Sequence, residues 1–87
     1  MAQVGLNTLT KEWLAFSEIT TPDEGTTYYI QNRGSDFLLA AESSSTPSDA
    51  FGILVRPFEV IKYEKGSQNL YLRAYTTNCT VNVTSEG

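Results

Sequence analysis

The stretch Leu70–Tyr75, which reads Leu-Tyr-Leu-Arg-Ala-Tyr, decides the fold class because its side chains alternate between two kinds. In an extended chain the two leucines and Ala74 lie on one side, and the two tyrosines and Arg73 lie on the other. A period of two is typical of a β-strand with one buried face, whereas a helix needs apolar residues every three or four positions. The stretch therefore predicts a strand whose first side faces a core.

Strand character continues on both sides of this stretch, in segments that are apolar, aromatic or β-branched. Five segments belong to this class: Thr26–Asn32, Phe37–Glu42, Phe51–Arg56, Phe58–Tyr63 and Cys79–Thr84. Leu9–Phe16 fits either a strand or a short helix that begins at Thr8 or Thr10, and we expect a strand. About seven short strands separated by turn signals predict an all-β domain, either a small β-sandwich or a jelly-roll-like barrel.

The turns between these segments carry residues that favour reversal of the chain. Gly34 suits a turn with a positive φ, so we expect Thr26–Asn32 and Phe37–Glu42 to form a hairpin. Pro57 interrupts an apolar run and indicates a sheet edge, a bulge or a corner between sheets. Ser43–Asp49 is small, polar and contains a proline, and it is therefore predicted to be a loop.

The length and charge of the chain limit what it can be. Its 87 residues suffice for one domain, which we place at residues 1–87, with residues 1–10 as a flexible N-terminal arm. So short a chain has a thin core, which favours self-association. A net charge of -4, with the six basic residues scattered along the chain, argues against nucleic acid as a partner.

The sequence also predicts where the protein is made. Its lone cysteine, Cys79, cannot form an internal disulfide, which fits a reducing compartment. Residues 1–7 have neither the basic nor the apolar region of a signal peptide, and no stretch approaches about 18 consecutive apolar residues. We therefore expect a soluble protein that is made in the cytosol and has no membrane partner.

Catalytic chemistry has little support in this sequence. The chain has no histidine, which removes the commonest acid–base side chain and metal ligand, and its one cysteine has no imidazole to activate it. The neighbouring acids, Asp23 with Glu24 and Glu59 with Glu64, lie at or near predicted turns, where solvated carboxylates are expected. The isolated glycines form no phosphate-binding loop. We therefore expect a protein that is not an enzyme and that binds neither a cofactor nor a metal.

Contact with other molecules remains, and aromatic and arginine side chains are the candidates for it. The aromatic residues fit either a face that stacks on sugars or bases, or half-buried positions in a core or a subunit interface, and we favour the second interpretation. The candidate interface residues are Trp13, Phe16, Arg73 and Tyr75, with Ser44 and Thr46 in the predicted loop. Arg56 and Arg73 are also expected to pair with Glu42, Glu59 or Glu64 across the sheet.

Six short strand and turn phrases follow one another along the sequence: Tyr29–Gly34, Phe37–Ala41, Thr46–Asp49, Arg56–Glu59, Asn69–Ala74 and Val81–Thr84. In this order they resemble phrases of small tailed-phage virion proteins. In that family a strand ending in an IQN-G phrase precedes a short apolar strand, a loop of the APT-D kind, an L-PGE corner and a VYARA strand. From Thr26 onward the chain resembles this family over most of its length.

The resemblance implies a structural component of a phage particle, at the head surface, the head–tail junction or the tail. Such a protein is made in the host cytoplasm, forms homo-oligomers and docks on other virion proteins. The chain departs from the family pattern at Phe58, where glycine is expected after the proline. The corner is then either a different type of turn or a place where an aromatic ring plugs the sandwich. A carbohydrate- or receptor-binding module of a tail fibre is the alternative function.

Overall fold

Most of the segments that were predicted to be strands contain strands in the structure. The computed structural model describes residues 2–20, 25–48, 52–66 and 68–86, which form eight strands and one short 3-10 helix. The strands are β1 (Ala2–Leu9), β2 (Leu14–Ala15), β3 (Thr27–Asn32), β4 (Leu38–Ser43), β5 (Ile53–Val55), β6 (Val60–Glu64), β7 (Asn69–Ala74) and β8 (Cys79–Glu86). The 3-10 helix, Phe16–Glu18, follows β2 directly.

The strands form two four-stranded sheets, sheet A in the order β1-β8-β3-β6 and sheet B in the order β2-β7-β4-β5. Each strand pairs with the strand equally far from the other end of the chain: β1 with β8, β2 with β7, β3 with β6 and β4 with β5. The chain is therefore one long hairpin that is rolled up, and the pairs β3–β8 and β4–β7 hold the roll together. This is the arrangement of an eight-stranded jelly roll. The predicted β-sandwich is confirmed, with eight strands instead of about seven.

The hairpin predicted on either side of Gly34 is wrong, because β3 and β4 belong to different sheets. Their connection, residues 33–37, crosses from sheet A to sheet B, and we call it the crossing connection. The Arg33 N–H donates to Thr80 O of β8 at 2.7 Å, which holds the crossing connection against sheet A. A Cβ at Gly34 would lie 2.9 Å from Thr80 N and 3.3 Å from Cys79 Cα. Glycine is therefore required here by close packing and not by a positive φ.

The N-terminal residues predicted to be a flexible arm contain an edge strand. β1 pairs with β8 along its length, with a register shift before Gly5, whose φ is 128°. A bulge of this kind is common at the free edge of a sheet. The last residue of β1, Leu9, is buried in the core and anchors the strand. The strand expected over Leu9–Phe16 is present only as the two residues of β2.

The core between the sheets consists mainly of the inner positions that the alternation predicted. The buried apolar cluster comprises Leu9, Phe16, Tyr28, Ile30, Leu38, Ala40, Val55, Tyr63, Leu70, Leu72, Ala74, Cys79, Val81 and Val83. Phe16 packs edge-to-face on Tyr28 and Tyr63, with ring centroids 5.1 and 5.5 Å away. Because the 3-10 helix begins at Phe16 and its side chain is only 1% exposed, this residue is removed from the candidate interface.

Residues 56–59, which we call the proline corner, connect β5 of sheet B to β6 of sheet A. Of the alternatives that Pro57 left open, the structure therefore has the corner between sheets. The Glu59 N–H donates to Arg56 O at 3.0 Å and closes a four-residue turn with Pro57 second and Phe58 third. Phe58 has a φ of 66°, as the third residue of a type II turn requires and as glycine adopts most easily. Its side chain is 66% exposed, so it does not plug the sandwich.

Phe58→Gly is expected to stabilise the protein by roughly 0.5 to 1 kcal/mol. The left-handed conformation costs a non-glycine residue about 1 to 2 kcal/mol, and the greater freedom of glycine in the unfolded chain offsets about 0.5 to 1 kcal/mol of that gain. Urea unfolding measures the difference. The control, Val60→Gly, lies in a regular strand and should lower the stability. A Phe58→Gly protein less stable than the wild type would contradict the strain argument.

Asn32, the last residue of β3, is a buried polar side chain whose hydrogen-bonding groups all have partners. Its Nδ2 donates to Asp36 O at 2.8 Å and to Val55 O at 3.0 Å. Its Oδ1 accepts from Gly34 N at 3.0 Å and from Cys79 Sγ at 2.9 Å. One side chain therefore connects β3, the crossing connection, β5 and β8.

Asn32→Leu is expected to destabilise the fold by about 3 kcal/mol or more. Leucine has a similar volume but leaves the carbonyls of Asp36 and Val55 and the N–H of Gly34 without this partner, at about 1 to 3 kcal/mol for each buried group. Urea unfolding of this variant and of Asn78→Leu, an exposed asparagine between β7 and β8, provides the measurement. A loss below about 1 kcal/mol for Asn32→Leu would refute the role of the network.

Candidate interaction face on sheet B

The outer face of sheet A, on the side away from the core, is mostly polar. It is formed by the residues that alternate with the buried ones: Leu6, Thr8, Thr27, Tyr29, Gln31, Val60, Lys62, Glu64, Thr80, Asn82 and Thr84. An ion pair joins Lys62 Nζ to Glu64 Oε1 at 3.4 Å on this face. Polar residues outside and apolar residues inside are what a sandwich in water requires.

The outer face of sheet B has the opposite character, because most of its side chains are apolar or aromatic. We call this surface the sheet B face and define it by Trp13, Phe37, Leu39, Ala41, Leu54, Tyr71, Arg73 and Tyr75. The register places Arg73, Leu39 and Leu54 side by side on neighbouring strands. β4 is consequently apolar on both faces, which is typical of a strand that is covered on both sides.

Trp13 lies beside β2 and extends across the sheet B face. Its ring centroid is 5.4 Å from Arg73 Cζ, which allows a cation–π interaction. Its Cη2 would be 3.3 Å from a Cβ on Gly52, the residue before β5, so the indole reaches towards the far edge of the sheet. Arg73 Nη1 also donates to Lys11 O at 2.8 Å. These contacts fix the indole and the guanidinium in place on the face.

Phe37 and Tyr75 form an exposed aromatic pair at one end of the sheet B face. The Tyr75 N–H donates to Phe37 O at 2.9 Å, which places the two residues beside each other, just before β4 and just after β7. Their ring centroids are 6.2 Å apart and the rings are inclined at 73°, an edge-to-face arrangement. Both side chains are exposed, so this end of the face offers aromatic surface to a partner.

Asp36 holds this aromatic pair in position from the crossing connection. Its carboxylate accepts hydrogen bonds from Phe37 N at 2.8 Å, Thr76 N at 2.7 Å, Thr76 Oγ1 at 2.8 Å and Thr77 N at 3.0 Å. Partial burial acts to raise the pKa of Asp36, but the hydrogen bonds from Thr77, Thr76 and Phe37 together outweigh it and lower the pKa below its usual value. The ionised carboxylate is therefore the form that ties the crossing connection to the β7–β8 turn.

The stability of the protein is expected to fall at acid pH in a way that depends on Asp36. Because the folded-state pKa is lowered, the stabilisation is complete above the unfolded-state pKa of about 3.9 and is lost as the pH falls through the folded-state pKa. Between about pH 6 and pH 2, the melting temperature of Asp36→Asn should fall less steeply with decreasing pH than that of the wild type. Glu18→Gln is the control for the loss of one charge. Equal slopes in Asp36→Asn and the wild type would contradict the assignment.

Three of the residues predicted for an interface meet on the sheet B face. Trp13, Arg73 and Tyr75 lie together there, whereas Ser44 and Thr46 are exposed in the loop that follows β4. The sequence interpretation did not include Phe37, Leu39 and Leu54 among the interface residues. The signal that could have revealed them is the unbroken apolar run Phe37–Ala41, because a strand that faces water on one side alternates and this one does not.

The acidic residues considered for catalysis have other roles or lie elsewhere. Glu59 Oε1 accepts a hydrogen bond from the Arg56 backbone N–H at 3.0 Å, so the contact of these two residues is within the proline corner and not across the sheet. Glu64 pairs with Lys62 on the surface. Asp23 and Glu24 lie outside the described residues.

No family model, curated protein or solved structure matches this chain. In residues 2–20, 25–48, 52–66 and 68–86, no helix is long and apolar enough to cross a membrane. Within the same ranges, no three His, Cys, Asp or Glu side chains come together as ligands for a metal ion.

Proposed function

We propose that this protein is a non-enzymatic structural protein of a tailed-phage virion, which self-associates and docks on other virion proteins through the sheet B face. The proposal is based on the difference between the outer faces of sheet A and sheet B. Sheet A presents mostly hydroxyl, amide and charged side chains to water, whereas sheet B presents Phe37, Leu54 and Tyr75 beside Trp13 and Arg73. A contiguous apolar surface of this kind is typical of a contact site for another protein.

The composition of the sheet B face favours a protein partner. Tryptophan, tyrosine and arginine are the residues that most often dominate the binding energy of interfaces, and acidic residues are depleted there. The sheet B face combines Trp13, Tyr71, Tyr75 and Arg73, and none of its defining residues is acidic. The guanidinium is held by the indole and by Lys11 O, so little side-chain freedom would be lost on binding.

A second copy of the chain is one partner that would complete the fold. A domain of 87 residues has a thin core, and covering the sheet B face would add apolar burial that the single chain lacks. Two copies related by a two-fold axis would bring the same residues together from both sides. Leu39 and Ala41 of β4 are already buried in the single chain, so the apolar surface that a second copy would cover consists mainly of Phe37, Leu54 and Tyr75.

The virion setting depends on the resemblance of the sequence phrases to small tailed-phage proteins. The proline corner supports this resemblance, because Phe58 keeps a positive φ at the position where the family pattern has glycine. Such a protein would be made in the host cytoplasm and carried on the head, the head–tail junction or the tail of the particle.

The alternative of a carbohydrate-binding module has less support. Stacking on a sugar ring uses an open, flat aromatic surface. The exposed pair Phe37 and Tyr75 has rings inclined at 73°, so the edge of one ring meets the face of the other. This arrangement favours insertion into a protein surface over stacking on a sugar.

Self-association is expected to depend on Leu54. Leu54→Lys places a charge on the sheet B face and should weaken association at least tenfold in sedimentation velocity experiments at tens of micromolar protein. The matched control is Val60→Lys, because Leu54 and Val60 are 52% and 50% exposed on edge strands of the two different sheets. A wild-type protein that stays monomeric, or equal weakening by both lysines, would contradict the proposed face.

Docking on the particle is tested with the same pair of variants. Wild-type protein and Val60→Lys should co-sediment with virions of the phage that encodes the chain, and Leu54→Lys should not. Circular dichroism melts establish that all three proteins are folded. Failure of the wild-type protein to co-sediment would contradict the proposed role in the virion. Self-association would still be tested separately by the sedimentation velocity experiment.

A further inference from the structure

A cleft of about 570 Å³ opens between the two sheets, on the side where β5 and β6 are edge strands. Its walls are largely apolar and include Ala40, Ile53, Ile61 and Leu70. The cleft adjoins the sheet B face at Ala41, which belongs to both, but it opens on the other side of β5. Ile53 points to the inner side of sheet B, whereas Leu54 points to the outer side. The register shows this directly, since Ile53 pairs with the core residue Ala40 and Leu54 pairs with Leu39.

Ile53 shows that the core is incomplete at this cleft. The other inner-facing residue of β5, Val55, is buried, but Ile53 is 61% exposed although it faces inward. An inner-facing aliphatic side chain is normally covered by the opposite sheet. Here the edge strands β5 and β6 leave the space between them open, with room for a ligand of small-molecule size.

Tyr63 provides a hydrogen-bond donor in the wall of this cleft. Its side chain is 2% exposed, and its Oη has no hydrogen-bond partner in the described part of the chain. The ring is fixed by stacking on Tyr28 at 6.2 Å and by the edge-to-face contact with Phe16. A buried hydroxyl without a partner costs about 1 to 3 kcal/mol, so a ligand that accepts its hydrogen bond would recover that cost.

The charges at the cleft indicate what kind of acceptor fits. Burial, the Glu42 carboxylate and Tyr28 raise the pKa of Tyr63, so its hydroxyl stays protonated and can donate a hydrogen bond. Glu42 and Lys62 both line the cleft. Lys62 pairs with Glu64 at 3.4 Å on the outer face of sheet A, whereas the Glu42 charge acts on Tyr63 and disfavours an anionic group next to it. The acceptor is therefore a neutral oxygen.

We propose that the cleft between β5 and β6 binds a neutral, mainly apolar small molecule whose carbonyl or ether oxygen accepts a hydrogen bond from Tyr63 Oη. An added peptide strand fits less well, because β5 has three residues and β6 carries Lys62 and Glu64 along its free edge. Short and charged edge strands are the ones that resist pairing with another chain.

Titration with Prodan, a neutral naphthalene fluorophore that carries a ketone, tests this proposal. We expect saturable binding of one molecule per chain, with the blue-shifted emission of an apolar site. Tyr63→Phe should weaken binding about fivefold to tenfold, the value of one hydrogen bond. The unliganded Tyr63→Phe protein should melt at the same temperature as the wild type or higher, because it no longer buries an unpartnered hydroxyl. Absence of saturable binding, or equal affinity in Tyr63→Phe, would overturn the proposal.

Two tryptophan variants locate the probe. Ile53→Trp fills the cleft and should abolish Prodan binding, whereas Leu54→Trp, the adjacent residue on the opposite side of β5, should leave the affinity within about twofold. Equal effects of the two variants would overturn the assignment to the cleft. Leu54→Lys separates this site from the proposed function, because it should prevent self-association and leave Prodan binding intact. Loss of Prodan binding in Leu54→Lys would place the probe on the sheet B face and would also overturn the proposal.

Discussion

The hydrogen bonds of the buried Asn32 side chain are the interactions on which the rolled hairpin depends. The chain has to pass between the sheets at the crossing connection after β3 and at the proline corner, and both places bring main-chain groups close to the core. The Asn32 amide bonds to carbonyl oxygens of the crossing connection and of β5, and its oxygen accepts from Gly34 and Cys79. Its backbone carbonyl accepts from Phe58 N at 2.6 Å, in the proline corner. Because buried main-chain groups need partners, a single side chain makes both passages compatible with an apolar interior.

The same crossing connection links the fold to the surface proposed for docking. Asp36 follows Asn32 by four residues and ties the start of β4 to the β7–β8 turn through four hydrogen bonds. Phe37 and Tyr75 are therefore held side by side before any partner arrives. At the other end of the face, Trp13 and Arg73 hold each other. Aromatic side chains with fixed positions lose little entropy on binding, so the contacts that stabilise the domain would also favour the association that we propose for the sheet B face.

Three features of the structure lower its stability. Two of them lie at proposed contact sites, and the third lies in the proline corner. Trp13 Nε1 and Tyr63 Oη are buried without hydrogen-bond partners in the described residues, the first on the sheet B face and the second at the cleft. Phe58 holds a conformation that glycine adopts at lower energy. Departures from the local rules of stability tend to collect where a protein performs its function. Their positions agree with a small domain that is completed by what it binds.

The sequence alone predicted six of the eight strands and, where the side chains alternate, which side faces the core. That information is local, because alternation of side chains along an extended chain assigns them to two faces, as in Leu70–Tyr75. It also pointed to Trp13, Arg73 and Tyr75, which share the sheet B face. Only the tertiary structure decided which strands pair, since the residues of β3 pair with residues 29 or more positions further along the chain and not across the nearest turn. Long-range packing likewise determined that Gly34 is needed for its approach to β8 and that Phe16 turns into the core. Alternation specifies faces and not neighbours, and the neighbours of a strand are set by contacts between distant parts of the chain.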